Sequence, residues 1–407
     1  MSVRNCALPW HWMLVTQDGD VLPCSHGSRP VGNINDSSAE QIWNGERMQE
    51  VRASILRGEV DRACLSSECP FQRTDPVFPE RDEPLQIDED FARVFDEEWY
   101  LQEHPDVRTA VDRCRLTSGL EHFIRHGRSE GRNYRVAGTA SKPLQNSVLG
   151  LVEYSRGATR LRARPVDLVF VVSTICNLRC VMCPQGMSLV EQPRHTPVGT
   201  IERMESFLAT ASRVCVSGLG EPMAAPAFWR LVEWSSGRDD LCFRVHSNGH
   251  LITAEGSERI LNSGITELSF SLDAATPGTY SKIRGGDFDS AVSGISTLLR
   301  MRKGIPNSRL EVSINMTLMR ENLPEAAPFV ALGKELGADA VVFSQLFGFG
   351  DRPDWRVDRG DWSFVYSEQV LTRAASEARH HISCAKKLAE EVAMPVQFFS
   401  NVLDYAD

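Results

Sequence analysis

Residues 176–183 read CNLRCVMC, with three cysteines spaced C-x3-C-x2-C. An apolar run at residues 167–174, DLVFVVST, comes just before them and predicts a buried parallel strand. The loop is therefore expected at the C-terminal end of a strand, where α/β barrels carry their reactive groups. Three thiolates in one short loop can bind three irons of a [4Fe–4S] cluster and leave the fourth iron open. A zinc site short of one ligand and three core cysteines are the alternatives.

Length and composition narrow the class of protein. A chain of 407 residues predicts two or three domains, and a net charge of −10 argues against a nucleic-acid surface. The N-terminal stretch has neither the pattern of a signal peptide nor an apolar run long enough for a membrane span. Eleven unevenly spaced cysteines favour metal ligation in a reducing compartment over a disulfide scaffold. We therefore expect a cytoplasmic protein.

A second group of cysteines lies near the start of the chain. A hairpin pattern with a QDGD turn is predicted to bring the first two together, and a helix predicted at residues 39–57 leads into CLSSEC, which holds the other two. Four thiolates can close a tetrahedral shell around a [4Fe–4S] cluster or a structural zinc ion. The four residues are Cys6, Cys24, Cys64 and Cys69.

The rest of the chain alternates between linkers and periodic segments. Six strand-like runs separated by helix-like runs predict an α/β fold whose parallel sheet curves as a partial (β/α)6 TIM-like barrel. The basic stretch at residues 156–164 is predicted to be a solvated linker. The predicted organisation is an N-terminal cysteine module at 1–72, a linker at 73–88, a small helical module at 89–136, a second linker at 137–165, the α/β core at 166–350 and a C-terminal helical extension at 351–407.

Polar groups stand at the predicted strand ends. The second strand ends in SGLGEP, where Gly218 and Gly220 let the backbone approach a ligand and Glu221 adds a carboxylate. The third ends in HSNG and the fourth in SLD, and the segment KIRGG follows. Alone, such groups are more often turns or helix caps than ligands.

The loop CNLRCVMCP, the six βα units over residues 166–350 and the strand-end motifs together resemble the radical S-adenosylmethionine (SAM) superfamily. The resemblance implies that the open iron chelates SAM, which is cleaved to methionine and a 5′-deoxyadenosyl radical that abstracts a hydrogen atom from the substrate. It assigns Cys176, Cys180 and Cys183 as cluster ligands, with Asp273 as a catalytic candidate. The SAM-binding residues it implies are Met182, Gly218, Gly220, Glu221, Ser247, Asn248, Ser271, Asp273 and Arg284.

The N-terminal motifs CALPW, DGDVLPC, VGNI, IWN and CLSSEC resemble the SPASM domain, an auxiliary-cluster module of many radical SAM enzymes. This resemblance implies a second [4Fe–4S] cluster on Cys6, Cys24, Cys64 and Cys69. In that family the module follows the core, whereas here it comes first. We hypothesise that its cluster covers the barrel opening and binds substrate or accepts an electron, within one chain or by domain swapping.

The combined resemblance predicts a radical SAM enzyme supplied by an electron donor such as flavodoxin or ferredoxin. The predicted reaction is oxidation or epimerisation of a carbohydrate or other small secondary metabolite, because the helical module weakly resembles units found beside polysaccharide proteins. A maturase of ribosomally made peptides is the alternative substrate class. A non-catalytic iron–sulfur electron carrier or sensor is the alternative of another kind. No nucleic acid or membrane partner is predicted, and the oligomeric state is left open.

Overall fold

The computed structural model describes residues 6–25, 27, 29–64, 95–113, 115–127, 130–135, 141–306, 308–346, 355–399 and 402. Cys69 and the linker predicted at 73–88 lie outside these ranges. The chain forms two compact units. Unit 1 comprises Met1–Val171, Thr196–Cys215 and Arg238–Phe243, and unit 2 comprises Val172–His195, Val216–Gly237 and Arg244–Asp407.

The N-terminal module of unit 1 contains the predicted hairpin. Helix α1 leads directly into strand β1, which pairs antiparallel with β2 across a turn where Gly19 has a φ of +81°, and β2 pairs in turn with β3. Strand β1 also pairs in parallel with β4, the strand that comes before the cysteine loop in sequence. The module therefore extends the sheet that contains β4. The bounds are α1 Leu8–His11, β1 Trp12–Val15, β2 Asp20–Leu22, β3 Gly32–Asn33 and β4 Asp167–Phe170.

The helix predicted at residues 39–57 is divided in two, α2 (Ala39–Trp43) and α3 (Glu46–Leu56). The break lies at Asn44 and Gly45, where Gly45 has an extended backbone with a ψ of 160°, and the Asn44 side chain bonds outside the helix. Its Nδ2 donates to Leu161 O at 2.7 Å, and its Oδ1 accepts from Leu161 N at 2.8 Å. The Asn-Gly pair at residues 44–45 was the local signal for this break, but the apolar periodicity on either side of it predicted one continuous helix.

The helical module of unit 1 contains α4 (Glu97–Glu103), α5 (Pro105–Asp112) and α6 (Gly119–His122). A further helix, α7 (Lys142–Ser155), lies inside the segment 137–165 that was predicted to be a linker. Its buried leucine and valine side chains recur at helical spacing and join the aromatic core of the module. The pattern was missed because buried polar residues interrupt it. The shared core includes Phe95, Tyr100, Phe123, Leu144, Val148, Leu151 and Val152.

The stretch 156–164 is not the solvated linker that its basic composition predicted. Trp43 Nε1 donates to Ala163 O at 2.7 Å, and Arg52 Nη1 donates to Thr159 O at 2.8 Å. The Arg52 guanidinium lies 4.4 Å from the Trp43 ring centroid and is fully buried. The backbone carbonyls of this stretch therefore fasten the N-terminal module to the remainder of unit 1.

Unit 1 also holds α8 (Val198–Glu202), α9 (Glu205–Leu208) and part of β5 (Arg213–Val216). Arg213 and Asp167 form a bidentate ion pair, with Arg213 Nη2 at 2.7 Å from Asp167 Oδ2. Both residues begin their strands.

His11 gives unit 1 a pH-dependent stability. Its burial, followed by the charge of Arg125, lowers its pKa from 6.5 to about 3. The unfolded chain binds a proton on His11 below pH 6.5 whereas the folded chain does not, so the contribution is complete above 6.5 and is lost as the pH falls towards 3. Between pH 7 and pH 5 the wild type should lose about 2 kcal/mol more unfolding free energy than His11→Gln. Urea titrations at the two pH values measure this difference, and equal losses would contradict it.

Unit 2 continues the predicted alternation of strands and helices, which confirms the α/β class. The elements are α10 Pro226–Ser235, β6 Cys242–Ser247, α11 Ala254–Leu261, β7 Ile265–Ser271, α12 Pro277–Arg284, α13 Phe288–Arg302, β8 Glu311–Leu318, α14 Ala326–Leu336, β9 Ala340–Gln345, β10 Arg356–Arg359, β11 Trp362–Val365, α15 Tyr366–Gln369, α16 Ala375–Glu391 and β12 Val396–Phe399. The first two residues of β6 belong to unit 1. Strands β7, β8, β9 and β12 pair in parallel in the order β12-β9-β8-β7. Strand β8 alternates half-buried and buried residues, as a sheet with one face on a core requires.

The C-terminal segment 351–407 differs from the helical extension that was predicted. It contains the hairpin β10–β11 before its helices, and β12 after them. Val396 pairs with Val341 in parallel, so the chain after β9 adds a further parallel strand through α16. Among the described residues, no helix is both long and apolar enough to cross a membrane.

Candidate active site

The cysteine loop of unit 2 is held by hydrogen bonds at its base and within the loop. Gln185 Nε2 donates to Thr174 O, and Val181 N donates to Ile283 O at 2.9 Å. Cys180 is 8% exposed, whereas Cys176 and Cys183 are half-buried. The loop is therefore anchored to the end of α12 and presents its three thiols from a fixed backbone.

Cys176 has N–H donors around its sulfur. Leu178 N lies 3.4 Å from Cys176 Sγ, and Asn248 Nδ2 lies 3.8 Å from it. The same Asn248 amide donates to Asn177 Oδ1 at 2.8 Å. Such donors stabilise a metal-bound thiolate, and Asn248 lies at the predicted third strand end.

The thiols lie close enough to influence one another. The pKa of Cys180 is raised to about 12, mainly by burial; the charge of Arg284 opposes this rise, and the neighbouring Cys183 and Cys176 add to it. Burial is also the main cause of the raised pKa values of Cys176 and Cys183. These thiols therefore need a positively charged metal centre to ionise at neutral pH.

The predicted glycines at the second strand end have a steric basis. Gly218 has a φ of +145°, a conformation that favours glycine. A Cβ on Gly220 would lie 2.4 Å from Ser173 O and 2.8 Å from Ile175 O. The segment therefore packs against the backbone just before Cys176.

Glu221 is only 2% exposed and its carboxylate is bonded within the protein. Its Oε1 accepts from Ser247 Oγ at 2.8 Å, and its Oε2 accepts from Asn248 N at 2.9 Å. Burial raises the pKa of this carboxyl. Glu221 thus fixes the backbone at the end of β6, where Asn248 contacts Cys176 through its side-chain amide. Direct contact of Glu221 with SAM stays a prediction.

Asp273 and Arg284 form a buried ion pair, with Arg284 Nη1 at 2.7 Å from Asp273 Oδ2. Asp273 Oδ1 accepts from Thr317 N at 2.6 Å, and Asp273 has a φ of +61°. Burial opposes the charge of Arg284, yet its pKa is raised because Cys180 and Asp273 stabilise the cation. The pair connects the end of β7 to the end of α12. This geometry favours a positioning role for Asp273, and its catalytic role stays a prediction.

Two further residues that were predicted to contact SAM are less buried. Ser271 is half-buried on β7, opposite Asn315 of β8. Met182 packs against an apolar cluster that includes Val181 and Phe364. Its predicted contact with the adenine of SAM is not tested by this arrangement.

Sequence reasoning missed His250 and Tyr280. His250 Nε2 and Tyr280 Oη lie 2.8 Å apart, and Tyr280 is fully buried. The backbone N–H of His250 donates to Asn248 Oδ1 at 3.0 Å, so this residue also orients the side-chain amide next to Cys176. The position of His250 directly after HSNG was the available signal, whereas nothing local pointed to Tyr280.

Family comparison agrees with this geometry. Residues 170–332 match the radical SAM superfamily, and residues 6–70 match SPASM, an iron-sulfur cluster-binding domain. The chain contains a radical SAM domain. Its SPASM domain comes before the radical SAM domain, as the sequence predicted, and the fold is the mixed α/β arrangement with a mostly parallel sheet.

The chain is similar to proteins with different named activities. An AdoMet-dependent heme synthase of Methanosarcina barkeri is 28% identical, over 52% of this chain and 59% of that protein. Mycofactocin maturase MftC of Mycobacterium tuberculosis is 28% identical, over 51% of this chain and 54% of that protein. The chain thus matches little more than half of each relative. The crystal structure of Streptococcus suis SuiB bound to precursor peptide SuiA has a TM-score of 0.48 and 13% identity, covering 75% of this chain and 66% of that one.

The radical SAM domain implies a [4Fe–4S] cluster and SAM, and the residues at the loop fit them. Among the described residues, no three His, Cys, Asp or Glu side chains converge as ligands of one metal ion. A [4Fe–4S] cube does not require this, because each thiolate binds a different iron. The mutually interacting thiols, the N–H donors to Cys176 and the nearby Arg284 cation suit an anionic thiolate-bound cluster.

The SPASM domain of this radical SAM protein implies further iron–sulfur binding. Cys6 and Cys24 are 7% and 8% exposed, and Cys64 is half-buried. A Cβ on Gly27 would lie 3.1 Å from Cys24 O and 3.5 Å from Ala63 O, so the loops that carry Cys24 and Cys64 meet there. These observations fit an auxiliary cluster, whose fourth predicted ligand lies outside the described residues.

Proposed function

We propose that this protein is an enzyme that cleaves SAM reductively and abstracts a hydrogen atom from its substrate. The observation that carries the proposal is the C-x3-C-x2-C loop, in which Asn248 lies next to Cys176 and the charge of Arg284 acts on Cys180. A non-catalytic electron carrier would have no need for the network of Glu221, Asn248 and Asp273 next to the loop.

When bound, the cluster and SAM supply reductive cleavage of SAM and the 5′-deoxyadenosyl radical. The protein's own residues place the reactants. Asn248 supports the Cys176 sulfur, Glu221 holds Asn248, and Arg284 contributes a positive charge near Cys180. The arrangement is preorganised because each of these polar groups is buried and bonded within unit 2.

Anaerobic reconstitution tests the proposal. Purified protein loaded with iron and sulfide, then given SAM and dithionite, should form 5′-deoxyadenosine and methionine in equal amounts. A chain that binds iron and sulfide yet leaves SAM intact under these conditions would be an electron carrier or sensor instead. Flavodoxin or ferredoxin should replace dithionite if the proposed donor class is right.

The substrate is proposed to be a carbohydrate or other small secondary metabolite that is oxidised or epimerised, on the basis of the sequence of the helical module. A peptide is the second candidate, favoured by the maturase among the relatives. A deuterated cell extract, fractionated by size, distinguishes them, because abstraction from a deuterated substrate labels 5′-deoxyadenosine. Deuterium in 5′-deoxyadenosine formed with the small-molecule fraction supports the first class, and deuterium transferred from the peptide fraction supports the second.

We also propose a cytoplasmic location, since thiolate-bound clusters suit a reducing compartment.

The auxiliary cluster is proposed to serve product formation and not SAM cleavage. The Cys64→Ala/Cys69→Ala double variant should hold about four irons per chain where the wild type holds about eight. It should still form 5′-deoxyadenosine but no product. Iron and sulfide counts with product analysis check this, and Cys384→Ala, on an exposed residue of α16, is the control. Full turnover by the double variant would contradict the proposal, and four irons with one zinc in the wild type would replace the auxiliary cluster by a zinc site.

A further inference from the structure

The C-terminal hairpin β10–β11 contacts the cysteine loop from outside the βα units. Arg359, the last residue of β10, donates from Nη2 to Arg179 O, the carbonyl that immediately precedes Cys180. The same guanidinium packs on Gly285 at the end of α12, where a Cβ would lie 2.5 Å from Arg359 Nη1. Gly285 has a φ of +71°, so both its conformation and this contact favour glycine.

Apolar side chains of the hairpin region reach the other half of the loop. Val181 and Met182, which separate Cys180 from Cys183, pack in one cluster with Phe364 and Tyr366. Phe364 and Val181 are both fully buried. Ile283, whose carbonyl accepts from Val181 N, belongs to the same cluster. The hairpin therefore contacts the loop on each side of Cys180.

We propose that the β10–β11 hairpin clamps the cysteine loop, with Arg359 as a positioning residue that holds the Arg179 carbonyl and thereby the Cys180 thiol. The inference rests on the proposed function, because the thiols need a fixed arrangement only if they bind the cluster. Arg359 acts through the backbone, because its guanidinium donates to the Arg179 carbonyl. Its positive charge at the C-terminal end of α12 adds to the hydrogen bond, since that end of a helix favours cations.

Thiol alkylation in the full-length, cluster-free protein tests the clamp independently of SAM cleavage. In Arg359→Gln, Cys180 should react with iodoacetamide about tenfold faster, because the loss of a hydrogen bond from a charged donor favours local opening. Cys24, buried in unit 1, is the internal control and should keep its wild-type rate. Peptide mass spectrometry gives each rate separately.

Arg356→Gln is the matched control, because Arg356 lies on the same strand and its guanidinium bonds to Asp358 and Ser363 of the hairpin itself. It also removes one positive charge, so a difference between the variants reports the Arg179 contact. Arg359→Lys should recover part of the protection through its charge. An unchanged Cys180 rate in Arg359→Gln would overturn the clamp, and so would an equal rise at Cys24, which would mean general unfolding. If SAM cleavage fails while Arg359 still protects Cys180, the clamp stands and the proposed function does not.

Discussion

Cys180→Ala should form no 5′-deoxyadenosine above background when reconstituted with iron, sulfide, SAM and dithionite. Cys180 is the most buried of the three loop thiols and lies within electrostatic reach of the other two. Two thiolates cannot hold three corners of a cube, so the cluster should be lost. Because changes to outer-shell residues already cost 10–100-fold at metal sites, loss of a ligand should cost more than about 100-fold.

Cys384→Ala is the control for this variant. Cys384 is exposed on α16, and its Sγ lies 3.8 Å from His380 Nε2 of the same helix. That variant should keep the wild-type rate and iron content. Near-normal 5′-deoxyadenosine formation by Cys180→Ala would mean that SAM is cleaved elsewhere, and the assignment of the loop would be wrong.

Arg284→Met should lower the free energy of unfolding of the cluster-free protein by about 3–5 kcal/mol, because it leaves the Asp273 carboxylate buried without its cation. Asp273 is 1% exposed, and its backbone lies in the left-handed region that non-glycine residues rarely adopt. Urea denaturation followed by circular dichroism measures the change.

Lys282→Met is the matched control, because Lys282 lies on the same helix and pairs with Glu321 in an exposed position. Its loss should cost less than about 1 kcal/mol. The double variant Asp273→Asn/Arg284→Met should recover part of the loss, since the buried charge is gone. Equal stabilities of Arg284→Met and Lys282→Met would show that the buried pair does not stabilise unit 2.

The sequence predicted those parts of the site that consist of short motifs. The cysteine spacing, the glycines of SGLGEP and the polar strand ends are short motifs, and unit 2 brings Cys176, Glu221 and Asn248 together. The partners of these side chains within the protein were not predicted. The carboxylates of Glu221 and Asp273 bond to neighbouring backbone and side-chain groups, and their contacts with the cofactor stay predictions. Such internal bonds depend on strands distant in sequence.

The long-range features could not be predicted for the same reason. Strand β1 pairs with β4 more than a hundred residues later, and parallel pairing leaves no signature in either strand alone. Residues 156–164 looked solvated because their side chains are basic, although their carbonyls accept from Trp43 and Arg52. The β10–β11 hairpin was not predicted, because the strongest periodicity in its segment is that of a helix.

Electron paramagnetic resonance of the dithionite-reduced Cys64→Ala/Cys69→Ala protein tests whether the loop holds a cluster that binds SAM, because this variant should retain a cluster only at residues 176–183. We expect about four irons per chain and a signal that changes when SAM is added, because one iron is open to bind it. If the variant holds no cluster, or if its signal is unchanged by SAM, the loop is not a SAM-binding cluster site.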